Sequence, residues 1–144
     1  MNELLDFVKS SPVSTLLGVI VGGLVSFFVN CKLNRIKDKQ VAGGKLRAAF
    51  AEELAILHPQ LGHENVSADK VLHAALSKHT AAVIEYRFFL KGKQRDRFDQ
   101  AWIDYYSANG DKRCAWFVQY EVGENARELF VERVNGILNF TEGR

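Results

Sequence analysis

Ser10 to Cys31 is a run of 22 residues without a single charge, closed on either side by Lys9 and Lys32. As an α-helix it would be about 33 Å long, enough to cross a hydrocarbon core of ~30 Å. A segment of this kind decides where the rest of the chain can be. The usual competitors fail on particular residues. A secretory signal needs a basic start and a small-residue cleavage site. Here the first nine residues carry Glu3, Asp6 and one base, Lys9, and the far end is the bulky Phe27-Phe28-Val29-Asn30-Cys31. Val29-Asn30 before Cys31 also lacks the small pair of a lipoprotein site. A core helix of a soluble domain would have to be covered on every side by a chain of only 144 residues.

The flanking charges predict an orientation. Lys32, Arg35, Lys37, Lys39, Lys45 and Arg47 follow the run against the single acid Asp38, whereas two acids face one lysine before it. Lys and Arg are retained on the cytoplasmic side of a membrane. The chain therefore divides into a short outer tail (1–9), a transmembrane helix (10–31), a basic juxtamembrane stalk (32–44) and a cytoplasmic domain (45–144). Lys32, Arg35, Lys37 and Lys39 set this topology and are also placed to meet anionic lipid headgroups, at about 1 kcal/mol per base near the surface.

Within the span Ser14, Gly18, Gly22, Ser26 and Asn30 recur at every fourth position, one stripe along a helix. Gly18 and Gly22 form a GxxxG unit, the spacing that lets two helix backbones approach in lipid. The stripe predicts self-association or pairing with a partner helix, and Asn30 can add a hydrogen bond between helices.

The remainder is the size of one small domain. Only two prolines interrupt it or the span, at 12 and 59, and turn clusters are few, which favours helices. The expected fold is all-α, with about four helical segments. The first resumes after a weakening at Gly43-Gly44, carries Leu46, Phe50, Leu54 and Leu57, and stops at His58-Pro59. The second is capped by Ser67 or Asp69, carries the stripe Leu72, Leu76, His79, Val83, Tyr86 and Leu90, and is broken by Gly92. The third carries Phe98, Ala101, Trp102 and Tyr105, and the last begins near Glu124 with Ala126, Phe130, Val134, Ile137 and Leu138. Between them Cys114, Trp116, Val118, Tyr120 and Val122 alternate as a strand would. A lone strand has no partner in a helical domain, so this stretch is expected to be a short helix or an extended cover over the core.

The pattern His79-x-x-Ala82-Val83-x-x-Tyr86-Arg87-x-Phe89-Leu90, followed by Phe98-Asp99-x-Ala101-Trp102-x-x-Tyr105, resembles a widespread group of short bacterial single-pass membrane proteins with no known activity. The resemblance covers mainly the second and third helices. It implies a bacterial origin and an αα-hairpin core, and it implies no chemistry.

The net charge of +2 makes no strong demand for nucleic acid. Cys31 and Cys114 are far apart and are expected to be free thiols in a reducing cytoplasm. His58 and His63 are five apart across a proline, and His73 and His79 six apart. Neither spacing puts two rings on one helix face, so no metal site is expected, and His79 reads as a hydrogen-bonded core residue. No phosphate loop, nucleophile elbow or metalloprotease helix is present. No catalytic residue and no cofactor is nominated, and Asp99 and Asp104 read as an ordinary polar helix face. The densest basic patch of the domain, Lys91, Lys93, Arg95 and Arg97, lies beside Phe88, Phe89 and Phe98. It reads as a solvated helix start or, in a functional role, as a contact with the inner leaflet. The first expectation for function is a single-pass inner-membrane interaction module, with lipid, further copies of itself or a membrane protein as partners. A pore-forming or toxin-like protein is the alternative, and a membrane-tethered enzyme the third.

Overall fold

The computed structural model describes residues 12–62, 65–107 and 115–142, with the surroundings of side chains from residue 19 onward. Among the described residues the chain is all helical. There are four α-helices: α1 (Pro12–Leu57), α2 (Ala68–Arg87), α3 (Gly92–Tyr106) and α4 (Ala126–Leu138). Two 3-10 turns accompany them, Phe117–Tyr120 and Asn139–Thr141. The chain divides into two units, Met1–Asp38 and Lys39–Arg144.

In the first unit the described helix is bare. Val19, Ile20, Val21, Leu24, Val25, Phe27, Phe28 and Val29 are all about half exposed or more. These eight positions point in every direction around a helix, so no single face is hidden. An 18-residue window of this helix has a mean hydropathy of 1.4, and none of it is buried. One helix near the N-terminus is thus long and apolar enough to span a membrane.

The second unit is an up-and-down bundle, read from its cross-helix partners. Lys45 meets Glu85 and Glu53 meets Lys78, so α2 runs back along the second half of α1. Arg87 meets Asp99 while His79 meets Tyr105, so α3 runs back along α2. Tyr105 packs on Phe130 and Phe98 on Phe140, which turns α4 back along α3. The start of the domain (39–47), the α2–α3 junction and the chain after α4 therefore share one end. At that end Arg47 donates to the Thr141 hydroxyl at 2.7 Å and Tyr86 donates to the Phe140 carbonyl.

Local signals account for most boundaries. Pro59 disfavours helical geometry at the residue before it, and α1 stops at Leu57. Ser67 caps α2, its hydroxyl accepting from the Lys70 amide at 3.3 Å, with Asp69 in the first turn and Arg87 in the last to suit the helix dipole. Gly92 does not break α2, which has already ended at Arg87, five residues before it; its φ of +49°, open to glycine at little cost, instead opens α3.

One more expectation needs correction and another is borne out. The helix does not weaken at Gly43-Gly44: α1 continues through both. Gly43 is buried, and a Cβ there would lie 3.3 Å from the Thr141 Cβ and 3.5 Å from the Tyr86 ring. Its lack of a side chain lets α1 approach the end of the chain, a tertiary role that outweighs helix propensity. The alternation across 114–122 does not mark a strand. Phe117 and Tyr120 are buried in a 3-10 turn over the core while Trp116 and Val122 are exposed, a spacing of three where a strand needs two. This matches the expected short helix; Lys112 to Cys114 lie outside the described residues.

The core is strongly aromatic. Phe50, Tyr86, Phe98, Tyr105, Phe117, Tyr120 and Phe130 are all fully buried, joined by Leu46, Leu57, Leu72 and Ile137. Tyr105 sits at the centre, with ring centroids of Phe50, Trp102, Phe117, Tyr120 and Phe130 between 5.3 and 6.5 Å away. The buried tyrosines keep polar partners: Tyr120 donates to the Tyr105 carbonyl at 2.6 Å.

Candidate functional site

Three features stand out beyond an ordinary helical core: the bare apolar helix, a buried polar chain between α1, α2 and α3, and a cleft at the end of the bundle where the domain begins.

The polar chain is built on helix register. Phe50 and Glu53 are three apart on α1 and face α2, where Lys78 and His79 are adjacent. His79, fully buried, stacks on Phe50 with centroids 4.0 Å apart and planes 13° from parallel. Its Nδ1 lies 2.9 Å from the Tyr105 hydroxyl and its Nε2 lies 3.2 Å from a Glu53 carboxylate oxygen. Lys78 donates to the other Glu53 oxygen at 2.7 Å and to Glu52 at 3.4 Å. One protonation pattern satisfies every partner: a neutral imidazole that accepts from Tyr105 at Nδ1 and donates to an ionised Glu53 from Nε2.

The electrostatics agree with that pattern. Burial pushes the His79 pKa below its ordinary value, against the pull of the Glu53 hydrogen bond and charge. Burial opposes ionisation of Glu53, but hydrogen bonds from Lys78, its own backbone and His79 outweigh it and hold the carboxyl below its usual range. Burial likewise disfavours the charge on Lys78, and Glu53 and Glu52 reverse that and raise its pKa. Burial lifts the Tyr105 phenol far above its ordinary value. His79 is thus the hydrogen-bonded core residue that its place in the apolar stripe predicts. Glu53 was not foreseen. The only sequence signal is an acid one helical turn after Phe50, in line with the apolar stripe of α1.

The cleft has a volume of about 590 Å³ and is lined by Lys39, Gln94, Arg97, Gly136, Asn139, Phe140 and Glu142. It brings together two residues that the sequence placed in separate groups, Lys39 of the basic stalk and Arg97 of the domain patch. Lys39 lies over the Tyr86 ring, its Nζ 5.9 Å from the centroid. Neither Lys39 nor Arg97 has a carboxylate partner among the described residues. Of the other patch residues, Lys91 and Lys93 are exposed, and Arg95 is half-buried, with an Nε that has no hydrogen-bond partner. Phe88 is exposed, whereas Phe98 is buried and Phe89 partly so.

The remaining nominated residues are dispersed. Gly22, Ser26, Asn30, Lys32, Arg35 and Lys37 are exposed, with nothing within 4 Å of a Cβ built at Gly22. The surroundings of Ser14 and Gly18, and all of His63, lie outside the described residues. His58 accepts from the Gln60 amide, and His73 pairs with Asp69 at 3.3 Å. Among the described residues no group of three metal-ligating side chains converges. Asp99 holds Arg87 through two hydrogen bonds of 2.6 Å, and Asp104 meets Gln100 and Arg133. No protein-family model, curated protein or solved structure matches this chain.

Proposed function

We propose that this chain is a single-pass membrane protein that presents a small helical interaction domain at the cytoplasmic face of a bacterial inner membrane, where the domain recruits or regulates a partner. The observation that carries the reading is the bare apolar helix. Val19 to Val29 expose large side chains on every face, which a soluble chain of this size leaves to water only at great cost. Lipid is the solvent that removes that cost, because a helix satisfies its own backbone there. The excess of Lys and Arg after the run supports the orientation. The stripe of Ser14, Gly18, Gly22, Ser26 and Asn30 supports self-association, since none of the described residues covers Gly22.

The polar chain of Glu53, His79 and Tyr105 supports an interaction module over a tethered enzyme. The three clefts described on the bundle are lined by other residues, and all three side chains of the polar chain are buried. The test is fractionation of cells that express the full chain. The protein is expected in membranes after alkaline carbonate extraction, with a phosphatase fusion after Glu142 inactive. Recovery in the soluble fraction overturns the anchor, and an active fusion overturns the orientation. Cross-linking in intact cells is expected to give self-adducts that Gly22→Ile removes; an unchanged ladder rules out the stripe.

A further inference from the structure

We propose that the cleft between Lys39, Arg97 and Phe140 binds the phosphate of an anionic lipid headgroup, a step that rests on the membrane reading above. Two cations from different elements, α1 and α3, line one concavity without carboxylate partners among the described residues. Lys39, half-buried, and Arg97, exposed, carry like charge in one concavity, and an anion between them relieves their repulsion. Gln94 and Asn139 add side-chain amides that can donate to phosphate oxygens, and Phe140 adds an apolar wall. A single acid, Glu142, opposes the two bases, so the site keeps a positive excess. Gln94 lies in the first turn of α3, whose N-cap Lys91 makes no side-chain cap, so free backbone N–H groups of that turn reinforce the same sign.

The chain itself selects lipid over a soluble phosphate. Lys39 follows Cys31, the end of the uncharged run, by eight residues. Even fully extended, eight residues reach no more than about 28 Å. In a chain anchored by that run, this tether bounds how far Lys39 can lie from the end of the span. The leaflet on the cytoplasmic side carries the anionic lipids that attract basic segments.

The test is native mass spectrometry of the full chain, titrated in detergent with phosphatidylglycerol or with phosphatidylcholine. The wild type is expected to retain phosphatidylglycerol preferentially. Lys39→Gln/Arg97→Gln should weaken retention by about 30-fold, at roughly fivefold per cation near a charged surface. Lys91→Gln/Lys93→Gln, two bases outside the cleft lining, should change it by less than about threefold, and Glu142→Gln should tighten it. No preference for the anionic lipid, or equal loss in both double variants, overturns the cleft. Displacement of the lipid by glycerol phosphate at similar concentration overturns the lipid source. Carbonate extraction of the same variants reads the anchor separately: a chain that stays in the membrane without lipid preference refutes the cleft alone.

Discussion

Replacing Glu53 by alanine probes the strongest commitment of the interior. The carboxylate is 3% exposed, and it accepts from both Lys78 and His79. Its loss affects the two donors differently. The Lys78 side chain is 42% exposed and can turn to Glu52 and water, so its share is below about 1 kcal/mol. His79 is at 0% exposure, and its Nε2–H would lose the Glu53 acceptor and keep only a backbone interaction with Ala49, at about 1–3 kcal/mol. The missing side-chain methylene adds about 0.8 kcal/mol. The expected destabilisation is about 2–4 kcal/mol. For a domain of this size that lowers the melting temperature by roughly 10–25 °C. Glu53→Gln keeps an acceptor in place for the imidazole and should cost about 1 kcal/mol. The assay is thermal unfolding of the full chain in detergent, followed by near-ultraviolet dichroism in the tryptophan and tyrosine bands, where Trp102 stacked on Tyr105 reports the domain and the apolar helix, which has neither residue, is silent. A Glu53→Ala shift under 2 °C, or a glutamine variant as damaged as the alanine one, refutes the hydrogen-bond account.

Other outcomes follow from the same geometry. Acid should weaken the domain in two stages. The pKa of His79 is depressed in the fold from an ordinary 6.5, so its contribution is complete above that value and declines as pH falls below it, by no more than about 1.4 kcal/mol per pH unit. Glu53, depressed from 4.5, adds a second decline below that value; a melting temperature flat from pH 7 down to 4.5 contradicts the first stage, and one flat from there into stronger acid contradicts the second. Gly44→Ala, with nothing within 4 Å of the new Cβ, should stabilise by about 0.5–1 kcal/mol through helix propensity, whereas Gly43→Leu should destabilise by meeting Thr141 and Tyr86. Equal melting temperatures for the two variants would deny Gly43 its packing role. Ser67→Ala should cost about 1 kcal/mol, since the hydroxyl caps α2 and also donates to Glu121 at 2.5 Å, and denaturant unfolding at constant slope measures it.

The sequence by itself determined the features that depend on local pattern. The uncharged run marked a helix long and apolar enough to span a membrane, because length and hydropathy are additive along a chain. The stripe from Leu72 to Tyr86 marked α2 and its inward face, because helix periodicity is written in residue spacing, whereas Leu90 is buried beyond the end of the helix. Pro59 and Ser67 marked two helix ends through their own backbone chemistry. What pairing decides was not legible. Gly43-Gly44 reads as a weak point until Tyr86 and Thr141, 43 and 98 positions away in numbering from Gly43, are seen against the glycine backbone. The alternation around Trp116 leaves a short helix and an extended cover both open until the rings of Phe117 and Tyr120 meet Tyr105 and Phe130. Glu53 reads as one more surface acid until α2 sets His79 and Lys78 beside it, and Lys39 and Arg97 belong to separate basic groups until the bundle closes them round one cleft. Local chemistry acts within a few residues, whereas charge pairing and close packing act through space, and only the folded bundle brings those partners within range.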